Sequence, residues 1–93
     1  MDIKEYRERI DNIDAKILEL FADRMEVAKG IAEYKQANNL PVLDSDRERQ
    51  KLNSIIEQSR DEVKEYTPIL YSLIFELSRK YQNKVIAGDS EGK

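Results

Sequence analysis

The 93-residue sequence contains no cysteine and no histidine. Without cysteine, the chain forms no disulfide and no thiolate metal site, and without histidine it also lacks the other common transition-metal ligand. The same two absences exclude nucleophilic catalysis by a serine–histidine or cysteine–histidine pair. We therefore predict neither a metal site nor redox chemistry at cysteine.

Turn-forming residues are also scarce, with only three glycines and two prolines. Few turns predict few and long elements, and a content of 40% hydrophobic and 38% charged residues suits a small helical protein. We predict one all-α domain over residues 1–86. The residues that follow, 87–93, are mostly small and polar and are predicted to form a disordered tail or a linker stub.

No strong charge of one sign is present, because 16 lysines and arginines stand against 19 acidic residues, for a net charge of -3. This balance argues against a broad nucleic-acid surface, so any useful positive field must be local. The N-terminus lacks an apolar signal region, and no run approaches the roughly 20 apolar residues of a membrane span. We expect a cytoplasmic protein that has neither nucleic acid nor membrane as a partner.

The first third of the chain carries apolar residues spaced three and four positions apart, which we call the apolar stripe. It consists of Ile3, Tyr6, Ile10, Ile13, Ile17, Leu20, Val27, Ile31 and Tyr34. The spacing predicts one long core helix over about residues 3–38, about 52 Å in length, which ends before Pro41 because proline disfavours helix in the residue before it. A compact chain of this size has a radius of gyration of only about 12 Å. Two shorter helices cannot cover such a stripe, so the remaining apolar surface predicts a second copy as partner.

Arg24 stands where the spacing of the stripe requires an apolar residue. Burying a charge is costly unless it is paired, so Arg24 indicates an anion-binding role. The alternative is a charge that reaches water and sets helix register. Lys35 lies about 17 Å along the axis from Arg24 and about 20° around it, so both can reach one small anion. Arg7 lies about 26 Å from Arg24, so it can serve the same pocket only from an antiparallel partner subunit.

Two shorter helices are predicted after the first. The second runs over about residues 45–59, where Asp44 or Ser45 can cap the start and Ser45 with Glu48 forms a capping box. The third runs from Thr67, as N-cap, to about Lys84. Its predicted buried face consists of Leu70, Leu73, Ile74, Leu77 and Tyr81.

Five motifs are spread over the predicted helical region. They are R-E-R-I-D-x-I-D at Arg7–Asp14, A-x-R at Ala22–Arg24, A-x-Y-K at Ala32–Lys35, P-V-L-D-S-D-R-E-R at Pro41–Arg49, and Glu76-Leu77-Ser78 followed by Gln82. Together they resemble the all-α chorismate mutase family over residues 3 to about 84. The resemblance implies three helices per chain, with a very long first helix, in an intertwined helical homodimer.

The resemblance also implies two equivalent sites per dimer, each completed by Arg7 of the partner subunit. The residues implied to bind substrate from the same chain are Arg24, Lys35, Asp44, Arg47, Glu48, Ser78 and Gln82. Those implied to be catalytic are Arg24, Lys35, Glu48 and Gln82. The implied reaction converts chorismate to prephenate in phenylalanine and tyrosine biosynthesis. It is a unimolecular, pericyclic step that needs no nucleophile, metal or cofactor.

Two other functions are compatible with the same residues. The first is an isochorismate pyruvate lyase on the same scaffold, which product analysis with chorismate and isochorismate would distinguish from the mutase. The 44–48 segment, which contains both an arginine and a glutamate, favours the mutase. A helical dimerisation module is distinguished by its failure to bind a bicyclic transition-state mimic. For a module, Asp44 and Glu48 are only favourable charges at a helix start, and Ser78 and Gln82 either face solvent or form hydrogen bonds to neighbouring residues.

Overall fold

The computed structural model describes residues 1–88, which form three α-helices and one short 3-10 helix. The helices are α1 (Ile3–Ala37), α2 (Ser45–Gln58) and α3 (Thr67–Ala87), with the 3-10 helix at Asp61–Val63. The predicted all-α class and the very long first helix are confirmed. The longest dimension is 53 Å and the radius of gyration is 16.3 Å, so the chain is far more extended than a compact globule. In the described range, no helix is long and apolar enough to cross a membrane.

A reciprocal cap begins α1. Asp2 Oδ1 accepts a hydrogen bond from the Glu5 backbone N–H at 2.9 Å, and the Glu5 carboxylate accepts one from Asp2 N–H at 3.0 Å. These bonds satisfy two N–H groups that the helix cannot pair internally. The helix continues through Gly30 and ends at Ala37, one residue before the predicted boundary.

The apolar stripe of α1 is uncovered in the single chain. Its members are between 44% and 65% exposed, whereas the buried residues of α1 are Ala28 and Ala32. The two shorter helices therefore cover even less of the stripe than predicted. Alanines carry short side chains, so α1 meets the rest of its chain along their line. The prediction of leftover apolar surface on this helix is confirmed, and the second copy that would cover it stays a prediction.

Asp44 is the residue that caps α2, because its side chain accepts a hydrogen bond from the Arg47 backbone N–H at 3.0 Å. The predicted capping box of Ser45 with Glu48 is not formed. The Glu48 side chain instead bonds to Arg79 of α3, since a charged partner attracts a carboxylate more strongly than a backbone amide does.

Both ends of α3 differ slightly from the prediction. Thr67 is the first helical residue rather than the N-cap, and its hydroxyl shares a 2.7 Å hydrogen bond with Ser59 Oγ, just after α2. The helix runs three residues past Lys84 to Ala87, where Gly88 ends it with a φ of 81°. Glycine adopts this left-handed conformation without a steric penalty. The first residue of the predicted tail is therefore helical, and residues 89–93 lie outside the described range.

The face of α3 that packs within the chain is not the predicted one. Phe75, Ser78 and Gln82 are buried, whereas Leu70 and Leu73 are more than half exposed. The remaining residues of the predicted face, Ile74, Leu77 and Tyr81, are half-buried. A single chain that buries a serine and an amide while exposing two leucines leaves burial energy unused. This arrangement makes sense if the buried polar line serves a site and the leucines meet another surface.

Candidate active site

One pocket of about 360 Å³ opens between the three helices. Seven of the eight predicted site residues line it: Arg24, Lys35, Asp44, Arg47, Glu48, Ser78 and Gln82. The other lining residues are Val27, Ala28, Ile31, Val42, Lys51, Phe75 and Arg79. Residues far apart in the sequence thus converge on one cavity because α1, the 38–44 connection, α2 and α3 each supply a wall.

The half-buried Arg24 lies beside an aromatic ring. Its guanidinium carbon is 5.9 Å from the centroid of the Phe75 ring, a distance at which a cation is attracted to the face of an aromatic ring. Tyr71 meets the same ring edge to face, at 6.1 Å between centroids. A charge in the apolar series is therefore accommodated by an aromatic partner and by the open pocket.

Lys35 connects the end of α1 to the loop that follows it. Its Nζ donates to the Val42 carbonyl at 2.7 Å. A lysine ammonium carries three hydrogens, so two remain for other acceptors. The contact holds the ammonium in the pocket wall while leaving it donor capacity.

Ser78 and Gln82 face inward rather than toward solvent, and they form a hydrogen bond to each other. They are 8% and 6% exposed, and Gln82 Nε2 donates to Ser78 Oγ at 3.0 Å. Gln82 Oε1 is buried without a hydrogen-bond partner in the described part of the chain. Buried polar groups without partners are costly and uncommon. The unpaired Gln82 Oε1 therefore favours a pocket that is completed by a bound polar molecule.

Sequence reasoning missed two cations of the pocket, Lys51 and Arg79. Arg79 directly follows the predicted Ser78, but its relation to Glu48 depends on the packing of α3 against α2. Lys51 lies four residues after Arg47, one turn further along the same face of α2. That helical spacing was a signal that could have found Lys51.

The pocket is positive although the chain is negative. Its cations are Arg24, Lys35, Arg47, Lys51 and Arg79, against the carboxylates of Asp44 and Glu48. The net charge of the chain is -3, so the local positive field predicted from the sequence is present. Such a concentration of cations in a cleft attracts small anions.

Arg7 is the predicted site residue that the single chain does not bring to the pocket. It is exposed on α1, about 26 Å along the helix from Arg24. A role in a site therefore requires another chain, and this role stays a prediction.

These features define a helical protein with a cation-rich pocket between three helices, suited to a small anionic ligand. The chain belongs to the type II chorismate mutase family, whose family model matches residues 6–83.

Individual relatives agree with this assignment. The chain is 45% identical over 47 residues to a chorismate mutase of Methanocaldococcus jannaschii, covering 50% of this chain and 48% of the relative. It is 38% identical over 60 residues to a bifunctional chorismate mutase/prephenate dehydratase of Aquifex aeolicus, covering 64% of this chain and 17% of the relative. The chain is 35% identical over 83 residues to the bifunctional enzyme of the same name from Buchnera aphidicola, which covers 87% of this chain and 22% of the relative. The matches thus span less than half the length of these curated relatives. No solved structure matches at a comparable significance.

Proposed function

We propose that this chain is a chorismate mutase, an intramolecular isomerase that rearranges chorismate to prephenate. The observation that carries the proposal is the pocket in which Arg24, Lys35, Glu48 and Gln82 converge from three helices. Family membership and the names of the relatives support the same activity. Of the predicted site residues, only Arg7 must come from elsewhere.

The first task of the site is to hold chorismate, a dicarboxylate, in the compact shape in which the reacting carbons meet. Arg24 and Arg7 of the partner subunit would each clamp one carboxylate, since a guanidinium matches a carboxylate with two parallel hydrogen bonds. Arg47 and Ser78 would assist. Holding the reactive conformation converts binding energy into rate for a reaction that needs no chemical group from the protein.

The second task is to stabilise negative charge on the ether oxygen as its bond to the ring breaks. Lys35 and Gln82 are the proposed donors. Each has donor capacity left, because Lys35 spends one hydrogen on Val42 and Gln82 spends one amide hydrogen on Ser78.

The third task is to orient the ring through its hydroxyl group. Glu48 would accept a hydrogen bond from this hydroxyl, and the backbone near Asp44 would assist. A carboxylate is a suitable partner because it has acceptor positions only.

We further propose that the active protein is a homodimer in which the two long helices run antiparallel. The exposed apolar stripe, together with Leu70 and Leu73, provides the surface. The antiparallel arrangement would carry Arg7 of the partner subunit to the pocket.

The dimer is expected to be obligate, because the apolar stripe and the partner helices would share one core. Sedimentation should show the mass of a dimer, and circular dichroism should show that it is folded. On dilution, no folded monomer should appear. Ile17→Asp, within the apolar stripe, should unfold the chain, whereas Lys16→Asp beside it should have little effect. A folded, active monomer at low concentration would contradict the proposal of an obligate dimer.

A spectrophotometric assay of chorismate loss tests the proposed activity. Wild-type protein should consume chorismate and yield prephenate, while isochorismate should yield no pyruvate. Arg24→Ala should lower kcat/KM about 100-fold or more, because removing one group that binds the transition state typically has this effect. The matched control is Arg49→Ala, which removes an exposed arginine that does not line the pocket. Release of pyruvate from isochorismate would favour the lyase instead.

A further inference from the structure

Arg79 contacts a proposed substrate-binding residue directly, although it is not among the predicted site residues. Its Nη1 lies 2.7 Å from Glu48 Oε1 and 2.6 Å from Oε2. The two residues are 31 positions apart and belong to α3 and α2. Both line the same pocket, so the ion pair forms part of its wall.

This pair differs from the other ion pairs found within residues 1–88. Arg49–Asp46 and Lys64–Asp61 each join residues three positions apart, and in both at least one side chain is more than two-thirds exposed. In the Arg79–Glu48 pair the side chains are 32% and 28% exposed. Exposed pairs of flexible side chains hold little fixed geometry. A sheltered pair between two helices can hold its carboxylate in one place.

The geometry leaves Glu48 free to bind a second donor. A carboxylate has about four lone-pair positions, and one Arg79 nitrogen occupies a single position on each oxygen. The remaining positions are available to a hydroxyl group. The side chain of an unpaired glutamate samples many rotamers, and fixing it costs conformational entropy at the moment of binding. Arg79 supplies that order before the substrate arrives.

We propose that Arg79 is a positioning residue that holds Glu48 as the acceptor for the substrate's ring hydroxyl, and thereby sets how strongly the enzyme depends on that hydroxyl. The inference rests on the proposed function and adds a residue to it. Arg79 acts through Glu48, so its effect should be confined to substrates that carry the hydroxyl.

The test compares chorismate with an analogue in which hydrogen replaces the ring hydroxyl. Arg79→Met should lower kcat/KM for chorismate about tenfold to hundredfold, the range expected for one hydrogen bond to a charged group. It should change kcat/KM for the analogue little. Arg79→Lys should give an intermediate loss, because an ammonium keeps the charge but not the arginine geometry. The matched control, Arg49→Met, should leave both values unchanged.

A second comparison tests whether Arg79 acts through Glu48. The double variant Glu48→Gln/Arg79→Met should have a kcat/KM for chorismate no lower than that of the less active single variant. The reason is that the effects of substitutions at coupled residues do not add. If circular dichroism shows that Arg79→Met is unfolded, the test uses Arg79→Lys alone. The quantity compared is then the ratio of kcat/KM for chorismate to kcat/KM for the analogue.

Two outcomes would overturn the inference, and a third separates it from the proposed function. Equal losses on both substrates would show that Arg79 only supports the fold. An Arg79→Met protein that behaves like Arg49→Met would show that the pair has no role in binding. A folded, dimeric wild type that does not convert chorismate would overturn the proposed function, and this inference with it.

Discussion

Mixing Arg7→Ala chains with Arg24→Ala chains is expected to restore about one quarter of the wild-type activity per mole of chain. Each variant alone should lose about 100-fold or more in kcat/KM, because removing one group that stabilises the transition state costs about 2.7–4 kcal/mol. In a heterodimer, one site combines Arg24 of the first chain with Arg7 of the second, so that site is wild type. Equal mixing makes about half of the dimers mixed, each with one intact site of two.

The measurement is chorismate turnover after the two chains are unfolded together and refolded, with differently tagged chains to quantify the heterodimer. Arg9→Ala is the matched control, because Arg9 is also exposed and lies two residues along α1 from Arg7. Arg9→Ala should be active without any mixing. Mixed dimers that form but remain inactive would mean that Arg7 does not serve the site of the partner subunit.

Gln82→Glu is expected to convert a pH-independent donor into one that works only in acid. An amide donates at every pH, whereas a carboxyl group donates only when protonated. Activity should be present below the pKa of the new carboxyl and fall by about tenfold per pH unit above it. Burial raises that pKa and the nearby Lys35 lowers it, so the midpoint reports the balance between the two.

The rates of wild type and variant should be compared across pH, with folding checked at each value. Gln58→Glu is a close control, because Gln58 Nε2 also donates to a serine hydroxyl four residues earlier, at 2.7 Å, but on the exposed side of α2. It should follow the wild-type profile. If Gln82→Glu also follows that profile, the amide does not donate to the ether oxygen.

The course of the helices was predictable because helix formation depends on residues within a few positions of each other. The periodic stripe predicted α1, and Pro41 placed its end within one residue of Ala37. Of the two caps that the sequence offered for α2, the structure has Asp44, and the error at α3 was an end placed three residues before Ala87. Gly88 marked the helix end in the sequence, and the prediction did not use it.

The candidate site was also largely predictable, since the resemblance of the motifs to a known family implied seven residues that share one pocket. The sequence alone also showed that Arg7 is too far from Arg24 to serve the same pocket within one chain, because an α-helix has a constant rise per residue.

By itself, then, the sequence determined the helices, their lengths and the residue types available for chemistry, all of which follow from local spacing and composition. Only the tertiary structure decided that α3 buries Phe75 rather than Leu70 and Leu73, and that Arg79 bonds to Glu48 across 31 positions. Either face of α3 carries enough apolar residues to pack, so the choice depends on what α1 and α2 present to it. Such contacts between distant segments are not encoded in the spacing of any one helix.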